Sequence, residues 1–105
     1  MRITIEGKPM RKMLRPPTTP GEILQEEYLK PLGLTQKMLA DHVRCDVKGV
    51  NRIVNGRCAV TADMAVRLGA ALGTTPEFWL NAQQAVDLHR ASGRLKVLPR
   101  SIRSA

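Results

Sequence analysis

The sequence predicts an all-α protein, a bundle of five short helices. Helix-start signals recur along residues 19–91, and no segment there shows the alternating apolar pattern of a β-strand. The chain also has only one Phe, one Trp and one Tyr, a composition that disfavours a β-sandwich or barrel. Its 105 residues are enough for one domain with its own hydrophobic core.

The first predicted helix has the clearest start. Thr19 can cap it, Pro20 occupies the first helical position, and Glu22 completes a capping box. Pro31 and Gly33 are expected to end this helix near Leu29.

The other four helices start at similar capping residues. Their predicted N-terminal caps are, in order, Thr35, Asp46, Thr61 and Thr75. The second and third helices are expected over 36–43 and 47–55. Gly56 and Gly73 are the predicted stops of the third and fourth helices, and the fifth should fray before Gly93.

Helices two and three have the pattern of a helix-turn-helix, in which two helices cross at a tight turn. Ala40 is small enough for the crossing, and apolar residues occupy the positions where the pair needs a shared core: Leu39, Val43, Cys45, Val50 and Ile53. Arg44 stands in the turn where Gly is usual. A positive φ at that residue would cost roughly 1 kcal/mol.

The outward face of helix three carries side chains suited to reading base edges. Lys48 and Arg52 can pair with guanine, Asn51 with adenine, and Val47 can contact a thymine methyl group. This set predicts a helix that enters the major groove of double-stranded DNA. Three further residues, at the start of helix two and just past helix three, are expected to meet the phosphate backbone: Gln36, Lys37 and Arg57.

Gly49 lies inside the predicted helix three, where glycine costs about 1 kcal/mol relative to Ala. The sequence leaves two explanations open for a glycine at this position. The glycine is either a tolerated accident or the result of a close approach of the helix to DNA.

The net charge of +8 is unevenly distributed along the chain. Residues 1–18 and 92–105 each sum to +4, and residues 19–91 sum to zero. Inside that neutral part, residues 35–57 carry +3 between negatively charged neighbours, which indicates a basic face for phosphate. We expect a flexible basic arm over 1–18, the helix-turn-helix domain over 19–91 and a basic tail over 92–105. The two ends are either solvated or docking segments for a protein partner.

The sequence predicts no enzyme, no cofactor and no metal site. His42 and His89 lack paired ligand spacing, and no nucleophile elbow or phosphate-binding glycine loop is present. Cys45 and Cys58 are expected to be reduced thiols, with Cys45 in the core. Because no apolar run approaches the roughly 20 residues of a membrane span and no signal peptide is recognisable, we expect a cytoplasmic protein.

A homodimer is predicted from helix five. That helix offers more apolar surface than one face can bury in so small a bundle: Phe78, Trp79, Leu80, Ala82, Ala85, Val86 and Leu88. Two-fold pairing is the commonest way to bury such a surplus. The matching operator would be a palindrome with half-sites about 34 Å apart, or a small multiple of that.

Four segments are more specific than a helix-turn-helix alone. They are TTPGEIL at 18–24, residues 34–40, VNRIVNG at 50–56 and AVRLGAALGTTPEFWLN at 65–81. Together they resemble the HigA antitoxins of the lambda-repressor-like, Xre-type helix-turn-helix group, over about residues 14–91.

The resemblance implies a five-helix lambda-repressor-like DNA-binding domain. It also implies a dimeric bacterial repressor of its own operon, which silences a HigB toxin, a ribosome-dependent mRNA endonuclease of the RelE type. Dimerisation would use the C-terminal part of the domain. Two alternatives stay open, a stand-alone Xre-family regulator without a toxin and a chain that is mainly a protein-binding inhibitor.

Overall fold

In the computed structural model, which describes residues 16–103, every regular element is a helix. The first helix, α1, is continuous but has three parts: Pro20–Ile23, the π-helical Leu24–Leu29 and Lys30–Leu32. The others are α2 (Gln36–Val43), α3 (Val47–Val54), α4 (Ala62–Leu72) and α5 (Pro76–Arg94). The prediction of five helices is confirmed. Most of the predicted basic arm, residues 1–15, and the last two residues of the predicted tail lie outside the described residues.

Short polar side chains cap the helices as predicted. At α1 the Thr19 hydroxyl accepts from the Glu22 N–H at 3.1 Å, and the Glu22 carboxylate accepts from the Thr19 N–H at 3.0 Å. The remaining predicted caps each accept one N–H from the first turn of their helix: Thr35, Asp46, Thr61 and Thr75. Each cap of this kind stabilises its helix by about 1 kcal/mol.

The prediction that α1 ends near Leu29 is wrong, because the helix continues to Leu32. The turns before Pro31 are π-helical, and the Lys30 N–H donates to the Gln25 carbonyl, five residues back. These wider turns reduce the clash that a proline ring makes with an ordinary helical turn. The helix stops at Gly33, whose φ of 67° is left-handed.

The prediction that α5 frays before Gly93 is also wrong. The helix runs through Gly93 to Arg94, and the Leu95 N–H still donates to the Ala91 carbonyl at 3.0 Å. One glycine costs a helix only about 1 kcal/mol, and a cation in the last turn interacts favourably with the helix dipole.

The core is built around Trp79, which is 0% exposed. Its indole N–H donates to the Thr74 hydroxyl at 2.7 Å, which satisfies its one polar group. Tyr28 and Phe78 pack against the indole at centroid distances of 5.7 and 5.1 Å. The predicted inward residues of the helix-turn-helix lie in the same core, fully or partly buried: Leu39, Ala40, Val43, Cys45, Val50 and Ile53.

The contact between α1 and α3 depends on Gly21. A Cβ atom at this position would overlap the carbonyl oxygen of Ile53 and lie 2.6 Å from that of Val54. Only glycine therefore allows α1 to pack its backbone directly on the C-terminal end of α3.

The loop between α3 and α4 is attached to α5 through Gln83, the one buried polar side chain of the described residues. Its carbonyl oxygen accepts from the Val60 N–H at 3.0 Å, and its amide donates to the Asp87 carboxylate at 3.0 Å. The loop that leaves α3 is thus held beside the middle of α5.

Candidate nucleic-acid interface

The turn between α2 and α3 consists of Arg44, Cys45 and Asp46. Arg44 has a φ of 62°, and it is the one non-glycine residue at positive φ among the residues described. Its conformation is that of the glycine it replaces. Left-handed backbone in a residue with a Cβ atom is unfavourable by roughly 1 kcal/mol.

Arg67 on α4 offsets this cost. Its guanidinium donates to the main-chain carbonyls of Val43 and Arg44 at 2.8 and 2.9 Å, and to the Asp63 carboxylate at 2.9 Å. Two carbonyls at the end of α2 thereby gain a partner that carries positive charge, which suits a helix C-terminus. Sequence reasoning missed Arg67, because its main-chain partners are 23 and 24 residues away.

Cys45 has a structural place in this turn. Its side chain is half-buried against the core, and its N–H donates to the Ala40 carbonyl at 2.9 Å. Burial raises the pKa of the Cys45 thiol, although the Arg67 charge works in the opposite direction. The group therefore stays protonated and weakly reactive at neutral pH.

Five of the seven predicted contact residues line one shallow concave surface, which we call the α3 surface: Gln36, Val47, Lys48, Asn51 and Arg52. The side chains of Lys48, Asn51 and Arg52 are exposed. The prediction that Val47 projects outward with them is wrong in part. Val47 is half-buried and packs against the core as well as lining the surface, because it lies in the first turn of α3, close to α2.

Asn51 is held by amide hydrogen bonds on both sides. Its nitrogen donates to the Gln36 carbonyl oxygen at 3.1 Å, and its oxygen accepts from the Asn55 amide at 3.2 Å. One N–H and one acceptor site of Asn51 remain unused, and adenine requires one of each. Sequence reasoning missed Asn55, although its position one turn after Asn51 was a usable signal.

Lys37 and Arg57 lie outside the α3 surface. The Lys37 ammonium pairs with the Asp41 carboxylate at 2.9 Å, and both side chains are largely exposed. Arg57 is exposed in the loop after α3, where its N–H donates to the Arg52 carbonyl at 2.8 Å. The loop therefore continues directly from the C-terminal end of α3.

Gly49 has no packing role inside the chain, because a Cβ atom there would meet nothing within 4 Å. We expect Gly49→Ala to raise the free energy of unfolding by about 0.5 to 1 kcal/mol, since alanine restricts the unfolded chain and suits a helix. Urea unfolding measures this, and a loss of stability would contradict it. The DNA affinity of the same variant separates the two explanations of the glycine, because only a close approach to DNA predicts weaker binding.

Neither a metal centre nor a membrane span is found in the part of the chain that the structure describes. No group of three or more His, Cys, Asp or Glu side chains there could hold a metal ion. None of the helices in that part is long and apolar enough to cross a membrane.

The fold and the turn define a helix-turn-helix protein, and comparisons with known proteins agree. A family model described as "Helix-turn-helix" matches residues 26–79. Antitoxin HigA-1 of Vibrio cholerae is 49% identical over 79 residues, which cover 75% of this chain and 74% of that protein. An uncharacterized HTH-type transcriptional regulator of Haemophilus influenzae is 47% identical over 76 residues, 72% of this chain and 71% of that protein.

A solved structure described as antitoxin GraA in complex with its operator is similar in both fold and sequence. It has a TM-score of 0.74 and 40% identity, and the match covers 85% of this chain and 95% of that one. The chain belongs to the helix-turn-helix family and, within it, to the HigA-like antitoxins. The predicted resemblance and the lambda-repressor-like fold are confirmed. This is a family of regulators and antitoxins rather than of enzymes.

Proposed function

We propose that this chain is a sequence-specific DNA-binding repressor that controls its own operon. The α3 helix enters the major groove, where Lys48 and Arg52 donate to guanine and Asn51 pairs with adenine. The observation that carries this proposal is the α3 surface, on which five positions from two helices converge and Asn51 is held in place by Gln36. The operator complex of the GraA relative supports it.

The phosphate backbone is contacted from both sides of the α3 surface. Gln36 and Lys37 reach it from the start of α2, and Arg57 from the loop after α3. The pair of Lys37 with Asp41 does not prevent this. An exposed pair four residues apart on a helix is worth only about 0.3 to 0.5 kcal/mol, so the ammonium exchanges readily to a phosphate.

DNA taken from directly upstream of this chain's own gene tests the proposal. At one salt concentration the protein should bind that fragment at least about 10³-fold more tightly than a duplex of the same length with shuffled sequence. Equal affinity for the two duplexes would contradict sequence-specific repression. Repression also requires that the chain share the bacterial cytoplasm with the operator.

The second part of the proposal is that the chain neutralises a HigB-like toxin, an mRNA endonuclease of the RelE type. The names of the Vibrio and GraA relatives support it. The alternative is a stand-alone Xre-family regulator, which the name of the Haemophilus relative favours. Expression of the adjacent open reading frame decides between them. A toxin should arrest growth alone and be rescued by this chain, whereas a harmless neighbour favours the stand-alone regulator.

We further infer a homodimer formed through α5, although fewer apolar residues of this helix are available than the sequence predicts. Trp79 and Val86 are buried within their own bundle and supply no surplus surface. Phe78, Ala85 and Leu88 remain exposed, and their spacing of seven and three residues places them on one face of α5. This stripe is the surface that a second copy would cover, and it matches a palindromic operator.

Sedimentation should give twice the 11.6 kDa mass of the chain. Leu88→Asp should produce monomers without unfolding, because the side chain is 60% exposed. Val66→Asp is the matched control, since Val66 is 56% exposed and belongs to α4 rather than to α5. A wild-type protein that sediments as a monomer at micromolar concentration would contradict the dimer.

A further inference from the structure

Three side-chain amides form a continuous hydrogen-bonded network across the two helices of the helix-turn-helix. The Nδ2 atom of Asn51 donates to the Oε1 atom of Gln36 at 3.1 Å, and the Nδ2 atom of Asn55 donates to the Oδ1 atom of Asn51 at 3.2 Å. Within residues 16–103, the side-chain hydrogen bonds of these three residues are with one another. We call the three residues the amide network.

The fold places the three amides in a row. Gln36 is the first residue of α2, and Asn51 and Asn55 lie one turn apart on the same face of α3. The Asn55 N–H also donates to the main-chain carbonyl of Asn51 at 3.0 Å, so the helical backbone fixes the spacing of that pair. Gln36 is half-buried, whereas the other two side chains are exposed. Asn51 is therefore held from both sides while it remains accessible to a ligand.

The amide network has a direction, because each amide has a donating nitrogen and an accepting oxygen. Since the Gln36 oxygen accepts from Asn51, the Gln36 nitrogen is left to donate at the start of α2. If the Asn51 amide alone turned over, its oxygen would face the Gln36 oxygen and its nitrogen would face the Asn55 nitrogen. Both hydrogen bonds would be lost, so the three amides turn over together or not at all.

A phosphate at the start of α2 would favour one of the two directions, because phosphodiester oxygens accept hydrogen bonds and donate none. With the Gln36 nitrogen facing the phosphate, the Gln36 oxygen faces Asn51, which is the direction that the structure has. In the opposite direction the Gln36 oxygen would face the phosphate oxygens and repel them. A backbone contact at α2 would thus determine how the exposed amide on α3 is oriented.

We propose that the amide network sets the base preference of this protein at one base pair of each half-site, with Gln36 and Asn55 as its positioning residues. This inference rests on the proposed function. In the observed direction Asn51 presents a donor and an acceptor in a fixed order, which matches N7 and the N6 amino group of adenine. The reversed amide would place oxygen opposite N7 and nitrogen opposite the amino group, so the match with adenine would be lost.

The upstream fragment and its single base-pair variants are the probes of the test. Wild-type protein should require an A·T pair at one position of each half-site, and changing that pair should weaken binding by roughly 5- to 150-fold. Asn51→Ala should abolish this preference, which identifies the base pair that Asn51 reads. If Asn51→Ala affects the preference at no position of a fragment that the wild type prefers, the inference is overturned.

Asn55→Asp should also abolish the adenine preference at that position, although Asn51 itself is unchanged. A carboxylate only accepts, so the Asn51 amide must turn over to donate to it. The added charge weakens binding to every duplex, so the readout is the ratio of affinities for the A·T duplex and its variant. Gln84→Glu adds the same charge at an exposed position of α5 and should keep the wild-type ratio. A wild-type ratio in folded Asn55→Asp would contradict the inference.

Two opposite substitutions at Gln36 separate positioning from simple contact with phosphate. Gln36→Glu can still accept from Asn51 but repels phosphate, so it should bind all duplexes more weakly and keep the adenine preference. Gln36→Lys attracts phosphate but cannot accept from Asn51. It should bind the shuffled duplex at least as tightly as the wild type does and lose the adenine preference. If Gln36→Lys keeps that preference, Gln36 contacts phosphate without orienting Asn51, and the inference is overturned.

The behaviour of the wild type distinguishes a failure of this inference from a failure of the proposed function. A wild-type protein that binds the upstream fragment no better than the shuffled duplex would overturn sequence-specific repression. A wild type that prefers the upstream fragment, together with an adenine preference retained in Asn55→Asp or in Gln36→Lys, would overturn the role of the amide network alone.

Discussion

Replacing Gly21 by alanine is expected to lower the free energy of unfolding by about 3 kcal/mol, at the upper end of what overpacking usually costs. The added methyl group would overlap the Ile53 carbonyl and press on that of Val54. Main-chain atoms at the end of a helix cannot move aside as a flexible side chain can. The contact between α1 and α3 would therefore have to open. Urea unfolding of the variant measures the loss of stability.

Gly93→Ala is the control for this prediction. Gly93 lies in α5, and a Cβ atom there would meet nothing within 4 Å. The variant should be as stable as the wild type or slightly more so, since alanine favours a helix. If Gly21→Ala instead stays within about 0.5 kcal/mol of the wild type, the α1–α3 contact is looser than described.

Replacing Asn51 or Arg52 by alanine should weaken operator binding by about 1 to 3 kcal/mol for each base that the helix can no longer read. The effect should occur in both half-sites of a dimeric complex, with relaxed preference at one base pair in each. Stability should change by less than about 0.5 kcal/mol, because both side chains are exposed and water can replace the bonds of Asn51 to its amide neighbours. Both variants should still bind a toxin partner, because the DNA-binding face and the toxin-binding face need not overlap.

Operator affinity and melting temperature are measured on the same preparation of each variant. Gln84→Ala, which removes an exposed amide from α5, is the control and should change neither quantity. A large fall in melting temperature would show that Asn51 or Arg52 supports the bundle. Unchanged operator affinity at normal stability would show that α3 does not read the groove.

The features that sequence predicted well are local ones. A capping box joins residues three apart, so Thr19 and Glu22 identify the start of α1 without any tertiary information. The exposed face of α3 follows from helical periodicity in the same way, and Lys48, Asn51 and Arg52 are exposed as expected.

The features that sequence missed depend on tertiary contacts or on unusual turns. Arg67 binds carbonyls of a different helix, and the cleft that Thr19, Cys58 and Arg90 line together forms only when α1, α3 and α5 pack together. The continuation of α1 past Pro31 could not be predicted, because a π-helical segment that accommodates proline has no recognisable sequence signature.

The packing of α1 on α3 also bears on how this protein can evolve. The position of α3 is fixed from behind, by Gly21 against its backbone and by the buried Val50 and Ile53. The side chains at positions 48 and 52 take no part in holding it. Under the proposed function, substitutions there exchange one set of bases for another while the helix keeps its place. Duplicated copies can thus diverge in operator preference on an unchanged scaffold, which keeps related operons in one genome insulated from one another.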